Sequence, residues 1–182
     1  MANLILYTGP MFSSKTTRLL MEVDTRQYRK QNVISFKSSM DKRYTNVGEI
    51  VTHNFNKIPA HVVNNGKELI NIVAANTTAD CVVVDELFMI KGGAKACIEL
   101  FKNGYDVVIA SIDLSFEGKP FDEVQEIMPF CTEIYKCTAV CPSCGGDARY
   151  TFRKNDSKEE VLVGAEDIYE PRCQLHFKHM RK

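Results

Sequence analysis

GPMFSSKT, residues 9–16, is the stretch that decides the fold, because it lies between the apolar run 4–7 and a helical pattern that begins near Thr17. In a strand, loop and helix of this kind, backbone N–H groups bind phosphates, a lysine reaches the terminal phosphates and a hydroxyl ligates magnesium. The alternative is an ordinary polar turn at the start of a helix. The predicted phosphate-binding residues are Gly9, Pro10, Met11, Phe12, Ser13, Ser14, Lys15 and Thr16.

Ser14 stands where this motif has its second glycine. If the loop requires a left-handed backbone angle at this position, serine costs roughly 1 kcal/mol more than glycine. A loop that is held by its ligand tolerates a cost of this size. The substitution therefore weakens the motif without abolishing it.

Length and charge narrow the class of protein. A chain of 182 residues holds one substantial core and a small appendage. Lys plus Arg and Asp plus Glu number 23 each, so no excess charge favours a polyanionic partner. No apolar run approaches about 20 residues, and Met1-Ala2-Asn3 contains no basic leader. We therefore expect a soluble, cytoplasmic protein that binds small molecules and neither nucleic acid nor a membrane.

Short β-branched runs alternate with helical patterns over residues 1–137, which is typical of a mostly parallel sheet flanked by helices. We predict an α/β nucleotide-binding domain over this range. After Thr138 the pattern changes, and residues 138–182 predict a small β-rich lobe with a polar turn at 154–158. The predicted strands are 4–7, 33–36, 81–84, 107–111, 148–153 and 161–163, and the predicted helices are 15–30, 66–75 and 94–103.

The seven cysteines fall into two groups. Their odd number, the chain length and the missing leader favour reduced thiols over disulfides. Two pairs, Cys-x-x-Cys and Cys-x-x-His, indicate a structural zinc site with four ligands and no open position. The alternatives are unrelated thiols beside a surface histidine, or His179 in place of His176. The predicted ligands are Cys141, Cys144, Cys173 and His176, and the predicted core thiols are Cys81, Cys97, Cys131 and Cys137.

A zinc ribbon often binds nucleic acid, but the charge of this lobe does not favour that role. Residues 138–182 contain eight Lys or Arg and seven Asp or Glu. A nearly neutral surface attracts a phosphate backbone weakly. We therefore expect the zinc to stabilise the fold.

An apolar strand, 81–84, ends in the carboxylates Asp85 and Glu86. Beside a phosphate loop, the first is placed to orient magnesium, together with the hydroxyl of Thr16. Glu86 points to the other side of the strand, where it could act as a general base. A solvated acidic strand end is the alternative.

Two polar loops follow other predicted strands. Arg43 lies at the carboxyl edge of the sheet, where a guanidinium can stabilise charge on a transferring phosphoryl group, although a charged loop is usually just solvated. The loop 111–121 carries Phe116 and Phe121 and can fold over a planar ligand. The alternative is a surface connection with both rings in the core.

In this order, the motifs closely resemble those of the zinc-containing, P-loop type of thymidine kinase, and the resemblance covers essentially the whole chain. It implies a RecA-like P-loop sheet with a small C-terminal zinc-ribbon lobe and a lasso-type lid. The matching motifs are Gly9-Pro10-Met11-Phe12-Ser13, Asp41-Lys42-Arg43-Tyr44, Asp85-Glu86, Asp113 with Phe116, Lys119-Pro120-Phe121, Thr138-Ala139-Val140-Cys141, Tyr150-Thr151, Val163-Gly164, and Tyr169 before Cys173.

The resemblance implies transfer of the γ-phosphoryl group of ATP to the 5′-hydroxyl of thymidine, with Glu86 as the base. Lys15, Thr16, Asp85 and Arg43 would serve the phosphates and Mg2+. The lasso, residues 114–121, and the segment 163–169 would grip thymine largely through backbone groups. The implied thymidine-binding residues are Met11, Phe116, Phe121, Thr151, Val163, Gly164 and Tyr169. Members of this family are usually homotetramers inhibited by their end product dTTP.

Three positions depart from the family pattern: Ser14 replaces Gly, Ala165 replaces the second glycine before Tyr169, and the family's D-E-x-Q-F reads here as DELFM, residues 85–89, without Gln. We expect an active enzyme with altered properties. Two rivals remain: a P-loop ATPase in which Glu86 activates water, and a zinc-ribbon nucleic-acid module or inactive nucleotide-binding regulator.

Overall fold

The computed structural model describes residues 2–41, 48–52, 56–155 and 167–179. Several predictions lie outside this part of the chain: Arg43, the strand at 161–163 with Val163, and Gly164. The predicted turn at 154–158 is described only as far as Asn155, and the side chain of His179 is not described.

The described strands form four β-sheets. One sheet of six parallel strands has the order β5-β2-β6-β7-β1-β8, and three antiparallel pairs join β3 to β4, β9 to β10 and β11 to β12. Their bounds are β1 (Leu4–Thr8), β2 (Val33–Ser38), β3 (Glu49–Val51), β4 (Lys57–Pro59), β5 (His61–Val63), β6 (Cys81–Asp85), β7 (Asp106–Ser111), β8 (Glu133–Lys136), β9 (Ala139–Val140), β10 (Asp147–Ala148), β11 (Tyr150–Arg153) and β12 (Tyr169–Arg172).

Helices cover both faces of the parallel sheet. Because side chains alternate along a strand, Leu4 and Leu6 lie in one apolar cluster and Ile5 and Tyr7 in another. The first cluster is completed by α2, α3 and α4, and the second by Leu19 and Val23 of α1. The helices are α1 (Lys15–Tyr28), α2 (Gly66–Ala75), α3 (Gly93–Lys102), α4 (Asp122–Ile127) and α5 (Gln174–His179).

Local chemistry sets the helix ends. Oδ1 of Asn65 accepts the N–H of Glu68 at 3.0 Å and caps the start of α2. The structure ends α1 at Tyr28, whereas the sequence predicts a helix to residue 30. Lys30 takes a φ of 61°, a left-handed angle that cannot continue a right-handed helix.

The predicted α/β class is confirmed, and each of the four predicted core strands lies in the parallel sheet. Two further strands of that sheet, β5 and β8, were not predicted. All four residues of β8 are exposed, so the strand contains no buried apolar run for the sequence to reveal.

The predicted strand at 148–153 is wrong as a single element, because the chain changes partner within it. Ala148 pairs with Ala139 in β9, whereas Tyr150 pairs with Arg172 in β12. Arg149 lies between the two pairings and donates its N–H to the carbonyl of Arg172. Two short hairpins therefore replace one strand.

Three of the four predicted core thiols, Cys81, Cys97 and Cys137, are buried, and Cys131 is partly buried. Burial raises the pKa of the Cys81 thiol to about 12. A thiol with so high a pKa is protonated and unreactive at neutral pH. Among the described residues, no helix is both long and apolar enough to cross a membrane.

A partly buried ion pair at the amino-terminal edge of the sheet joins α1 to β7, and its carboxylate also binds the residue before β1. Nη1 of Arg26, on α1, donates to Oδ2 of Asp106, on β7, at 2.5 Å, and Oδ1 accepts the N–H of Asn3 at 2.7 Å. Burial raises the pKa of the Asp106 carboxyl, but the bonds from Asn3 and Arg26 outweigh burial, so the pKa lies below its usual value.

Replacing Asp106 with asparagine should lower the free energy of unfolding by about 1.5–3 kcal/mol at pH 7, because Arg26 loses the nearer of its two carboxylate partners and keeps only Glu22, at 3.7 Å. A carboxyl with a lowered folded pKa stabilises the protein above its unfolded pKa of about 4, and this stabilisation is lost as the pH falls through the folded pKa. The difference between wild type and Asp106→Asn should therefore shrink below about pH 4.

Urea unfolding at several pH values measures this difference. Asp24→Asn, at an exposed position of the same helix α1, is the matched control and should change little. A stability difference that stays constant from pH 7 to pH 3 would contradict the assignment.

Candidate active site

The phosphate-type loop, residues 9–16, follows β1, and its first residue packs closely against the backbone of Cys137. Gly9 has a φ of 146°, and a Cβ atom there would lie 2.3 Å from the carbonyl oxygen of Cys137. A side chain cannot fit at that distance, so the loop requires glycine at this position. The residues 11–17 then curve around a concavity that is also lined by Val51, Thr52 and Glu86.

Ser14 takes a left-handed backbone angle, with φ 59° and ψ 25°. Its side chain is exposed and makes no capping hydrogen bond to α1. Phe12 is also left-handed, with a φ of 63°. Each such residue stores strain that the surrounding structure must hold in place.

Lys15 is buried inside the curve of the loop. Its Nζ donates to the carbonyl oxygen of Pro10 at 2.6 Å and to Oγ of Ser13 at 3.4 Å. These contacts hold the ammonium group against the loop. A cation and a helix N-terminus at one place form a site suited to a phosphate anion.

Thr16 and Asp85 meet although they lie on different elements. Oγ1 of Thr16, in the first turn of α1, is 3.2 Å from Oδ1 and 3.4 Å from Oδ2 of Asp85, at the end of β6. The sequence assigned both residues to magnesium. Hydroxyl and carboxylate oxygens are ligands that this ion prefers, so the donor set fits.

Glu86 follows Asp85 directly and is buried, in a left-handed conformation with φ 54° and ψ 50°. This turn of the backbone places the two carboxylates in different surroundings. Glu86 lines the same concavity as Lys15 and Thr16. A strained non-glycine residue with a buried carboxylate beside a phosphate-type loop is typical of a functional site.

An aromatic cluster adjoins this concavity. Its buried members are Met11, Ile112 and Tyr169, and Phe12, Phe88, Phe116, Phe121 and Ile168 pack against them. Met11 belongs both to the cluster and to the lining of the concavity. The structure therefore brings together four predicted pocket residues: Met11, Phe116, Phe121 and Tyr169.

The lasso is closed by its own backbone. The N–H of Ser115 donates to the carbonyl of Lys119 at 2.7 Å, and the N–H of Phe121 donates to the carbonyl of Asp113 at 3.0 Å. Below it, the Asp113 carboxylate pairs with Lys136 of β8. These contacts hold both ends of the lasso over the sheet.

Thr151 was predicted to line the pocket, and the structure shows what its hydroxyl contacts. Oγ1 accepts the N–H of Met11 at 3.0 Å in a buried setting. Strand β11 of the C-terminal part is thereby joined directly to the phosphate-type loop.

Sequence reasoning missed Arg153, which is buried beside the aromatic cluster. Its guanidinium carbon lies 3.8 Å from the ring centroid of Phe116, and Nη2 donates to the hydroxyl of Tyr169 at 2.7 Å. The alternation along β11 offered a signal, because residues two apart share a face and Thr151 is one of the predicted pocket residues.

A second missed residue, Glu123, accepts the N–H groups of Gly92 and Ala94.

The four predicted metal ligands converge. Their ligand atoms lie within 4.8 Å of one another, and Sγ of Cys144 is 3.8 Å from Sγ of Cys173. Zinc–ligand bonds of about 2.0–2.3 Å separate ligand atoms by about 3.5–3.8 Å in a tetrahedron, so the cluster can hold zinc. The structure includes His176 in this cluster, with Nδ1 3.8 Å from Sγ of Cys141.

Two of the three thiols in the cluster lie in surroundings that favour the thiolate, whereas the neighbouring thiols raise the pKa of the third, Cys144. Burial raises the pKa of Cys141, but hydrogen bonds from the backbone of Cys173 and Ser143 outweigh it and lower the pKa to about 6. Hydrogen bonds from His176 lower the pKa of Cys173 as well. Thiolates are the form that binds zinc, so part of the cost of deprotonation is already met by the protein.

Comparison with known families shows which family the chain belongs to. A family model described as "Thymidine kinase" matches residues 2–177 of the 182-residue chain. The match spans the loop, both carboxylates, the lasso and the Cys/His cluster.

Replacing Ser14 with glycine should raise the free energy of unfolding by about 0.5–1 kcal/mol, because glycine relieves the left-handed strain and no side-chain capping bond is lost. Lys30→Gly is the matched control, since Lys30 is also exposed and left-handed but lies at the other end of α1. Glu99→Gly, at an exposed position inside α3, should instead destabilise the protein by about 1 kcal/mol. Denaturant titration of the three variants tests this, and a destabilised Ser14→Gly would contradict the argument.

The native protein should contain about one zinc per chain, and Cys144→Ser should lose most of it. Because binding of a structural metal contributes to folding, this variant should unfold at a temperature at least about 5 °C lower. Elemental analysis and thermal unfolding measure the two effects. Cys131→Ser, outside the cluster, is the control, and equal metal content in the two variants would refute the site.

Proposed function

Because the chain belongs to the thymidine kinase family, we propose that it transfers the γ-phosphoryl group of ATP to the 5′-hydroxyl of thymidine and so forms dTMP for pyrimidine salvage. The family itself implies a kinase that phosphorylates thymidine and handles nucleoside and nucleotide substrates. ATP as the donor, magnesium as its partner and the roles of individual residues are our proposals. The contacts described above support them.

One observation carries the proposal: a buried carboxylate lies where a phosphate-type loop meets an aromatic cluster. Glu86 shares one concavity with Lys15, and Met11 extends the lining of that concavity into the cluster. Phe88, two residues after Glu86, packs on Phe121 of the lasso with ring centroids 4.5 Å apart. A nucleoside kinase needs three adjoining surfaces: one that binds phosphates, a general base, and a slot for the planar nucleobase.

The loop residues Gly9, Pro10, Met11, Phe12, Ser13 and Ser14 are proposed to bind the phosphates through backbone N–H groups, with Lys15 neutralising the terminal ones. Thr16 and Asp85 would hold magnesium, which supplies a charge that stabilises the leaving phosphate. Arg43 is proposed to approach the transferring group from the loop after β2.

Glu86 is proposed to accept the proton of the 5′-hydroxyl as the phosphoryl group is transferred. Its left-handed backbone is fixed between the end of β6 and the short turn Leu87–Met89. The N–H of Met89 donates to the carbonyl of Glu86, and the N–H of Phe88 donates to Oγ of Ser111. A base that is held in place by strained backbone needs little reorganisation in the transition state. Such a proton transfer typically contributes about 10²–10⁴-fold to the rate.

The nucleoside pocket is proposed to comprise Met11, Phe116, Phe121, Thr151, Val163, Gly164 and Tyr169. The rings exclude water around the base, and the hydroxyl of Thr151 holds the backbone of Met11 in place. A planar apolar slot with a few fixed polar groups favours one base because a mismatched polar group would be buried without a partner.

The proposed division of the chain places nucleotide chemistry in residues 1–137 and the lid and zinc staple in residues 138–182. Zinc would hold β9–β12 together, and the hydrogen bond from Met11 to Thr151 connects that part to the loop.

We also propose inhibition by dTTP, because its base and its phosphates would occupy two adjoining surfaces. Exposed Ile134 and Tyr135 on β8 fit the proposed homotetramer.

Adding thymidine should stimulate ADP production from ATP and magnesium, and Glu86→Gln should reduce this stimulated turnover by about 10²–10⁴-fold. The amide keeps the size of the side chain but cannot accept the proton. Glu126→Gln, exposed on α4, is the matched control and should be as active as wild type. A coupled ADP assay with and without thymidine makes the measurement.

The same assay separates the rival activity. ADP produced at equal rates without thymidine would indicate a P-loop ATPase in which Glu86 activates water. Turnover that survives Glu86→Gln would remove this residue from the role of base.

A further inference from the structure

Arg153 lies on the inner face of β11. It shares this face with Thr151, while Phe152 points the other way, and the residue is only 4% exposed. In the pairing of β11 with β12, Arg153 is directly opposite Tyr169. A long cationic side chain at such a position reaches across the hairpin into the aromatic cluster.

The guanidinium group makes two kinds of contact at once. Its carbon lies 3.8 Å from the ring centroid of Phe116, and its Nη2 donates to the hydroxyl of Tyr169 at 2.7 Å. A planar cation can stack on one ring with its face and donate a hydrogen bond with its edge. The ammonium group of lysine offers no such plane.

These contacts cross between parts of the chain that are far apart in sequence. Phe116 belongs to the lasso, whose described backbone bonds run largely within the segment 113–121, and Tyr169 begins β12. Arg153 therefore links the lasso to the hairpin β11–β12. Burial of a guanidinium is costly unless its contacts compensate for lost water, so these contacts must be well formed in the folded protein.

We propose that Arg153 is a positioning residue of the nucleoside pocket: it fixes the ring of Phe116 and the hydroxyl of Tyr169 so that the lasso is ordered before the nucleoside binds. This inference rests on the proposed thymidine kinase activity. Arg153 acts through the two aromatic residues and takes no part in phosphoryl transfer.

The first test is the steady-state kinetics of Arg153→Met. Methionine preserves most of the apolar stem but removes the stacking plane and the donor. The KM for thymidine should rise at least about tenfold, while the KM for ATP and kcat should change less than about threefold. Arg153→Lys should restore little of the loss, because it returns the charge without the plane.

Arg172→Met is the matched control. Arg172 lies on the same hairpin, donates to Glu170 at 2.8 Å and has its guanidinium carbon 5.8 Å from the ring of Phe152. The Arg172→Met variant therefore loses an arginine of the same hairpin that lies outside the aromatic cluster. Its KM for thymidine should match that of wild type. Tyr169→Phe, which removes only the accepting hydroxyl, should raise the KM for thymidine about three- to tenfold.

Hydrogen exchange without any ligand gives a readout that does not depend on activity. In Arg153→Met, amides of the lasso should exchange at least about tenfold faster than in wild type, whereas amides of α2 should not change. Arg172→Met should leave lasso exchange unaltered. If Arg153→Met does not fold, lasso exchange and KM in Tyr169→Phe decide the question.

The outcomes separate the two proposals. Wild-type protein without thymidine-dependent turnover would overturn the proposed function, and lasso exchange would still test the role of Arg153. An active wild type together with unchanged KM and unchanged lasso exchange in Arg153→Met, or in Tyr169→Phe where the first variant does not fold, would overturn the positioning role alone.

Discussion

The parallel alignment of β6, β7 and β1 is the constraint on which the rest of the structure depends. Asp85 and Tyr7 are both in register with Ala110 of the central strand, so the three strands end in one row. Parallel strands deliver their carboxyl ends to the same edge of a sheet. The phosphate-type loop, the paired carboxylates and the lasso each follow one of these ends, which is why residues distant in sequence form one site.

Backbone strain is concentrated at this edge. Of the described non-glycine residues with positive φ, Phe12, Ser14 and Glu86 all line the same concavity, and only Lys30 lies elsewhere. Sparsely populated conformations persist only where surrounding structure holds them. Here the buried strands on either side, and the contact between Gly9 and Cys137, provide that support. The strain keeps the loop amides and the Glu86 carboxylate preorganised.

The C-terminal part contributes through a few specific contacts. The hydrogen bond from Met11 to Thr151 and the stacking of Arg153 on Phe116 join it to the loop and to the lasso. Beside the Cys/His cluster the apolar core is small: Ala139, Cys141 and Ala148 are its buried members, and Phe12 and Cys173 pack against them. A metal staple suits such a region, because small β elements bury too little surface to be stable alone.

The sequence by itself determined the α/β class, the four buried strands, the loop, the carboxylate pair and the two ligand-type pairs of the Cys/His cluster, because each is a local pattern of spacing or periodicity. Tertiary structure alone decided the edge strand β8, the break near Arg149 and the contacts of Arg153. These depend on which strands pair and on what a side chain meets across a hairpin. Alternation along β11 can place Arg153 on the same face as Thr151, but the residues it contacts are far apart in the chain, so no local pattern in the sequence encodes those contacts.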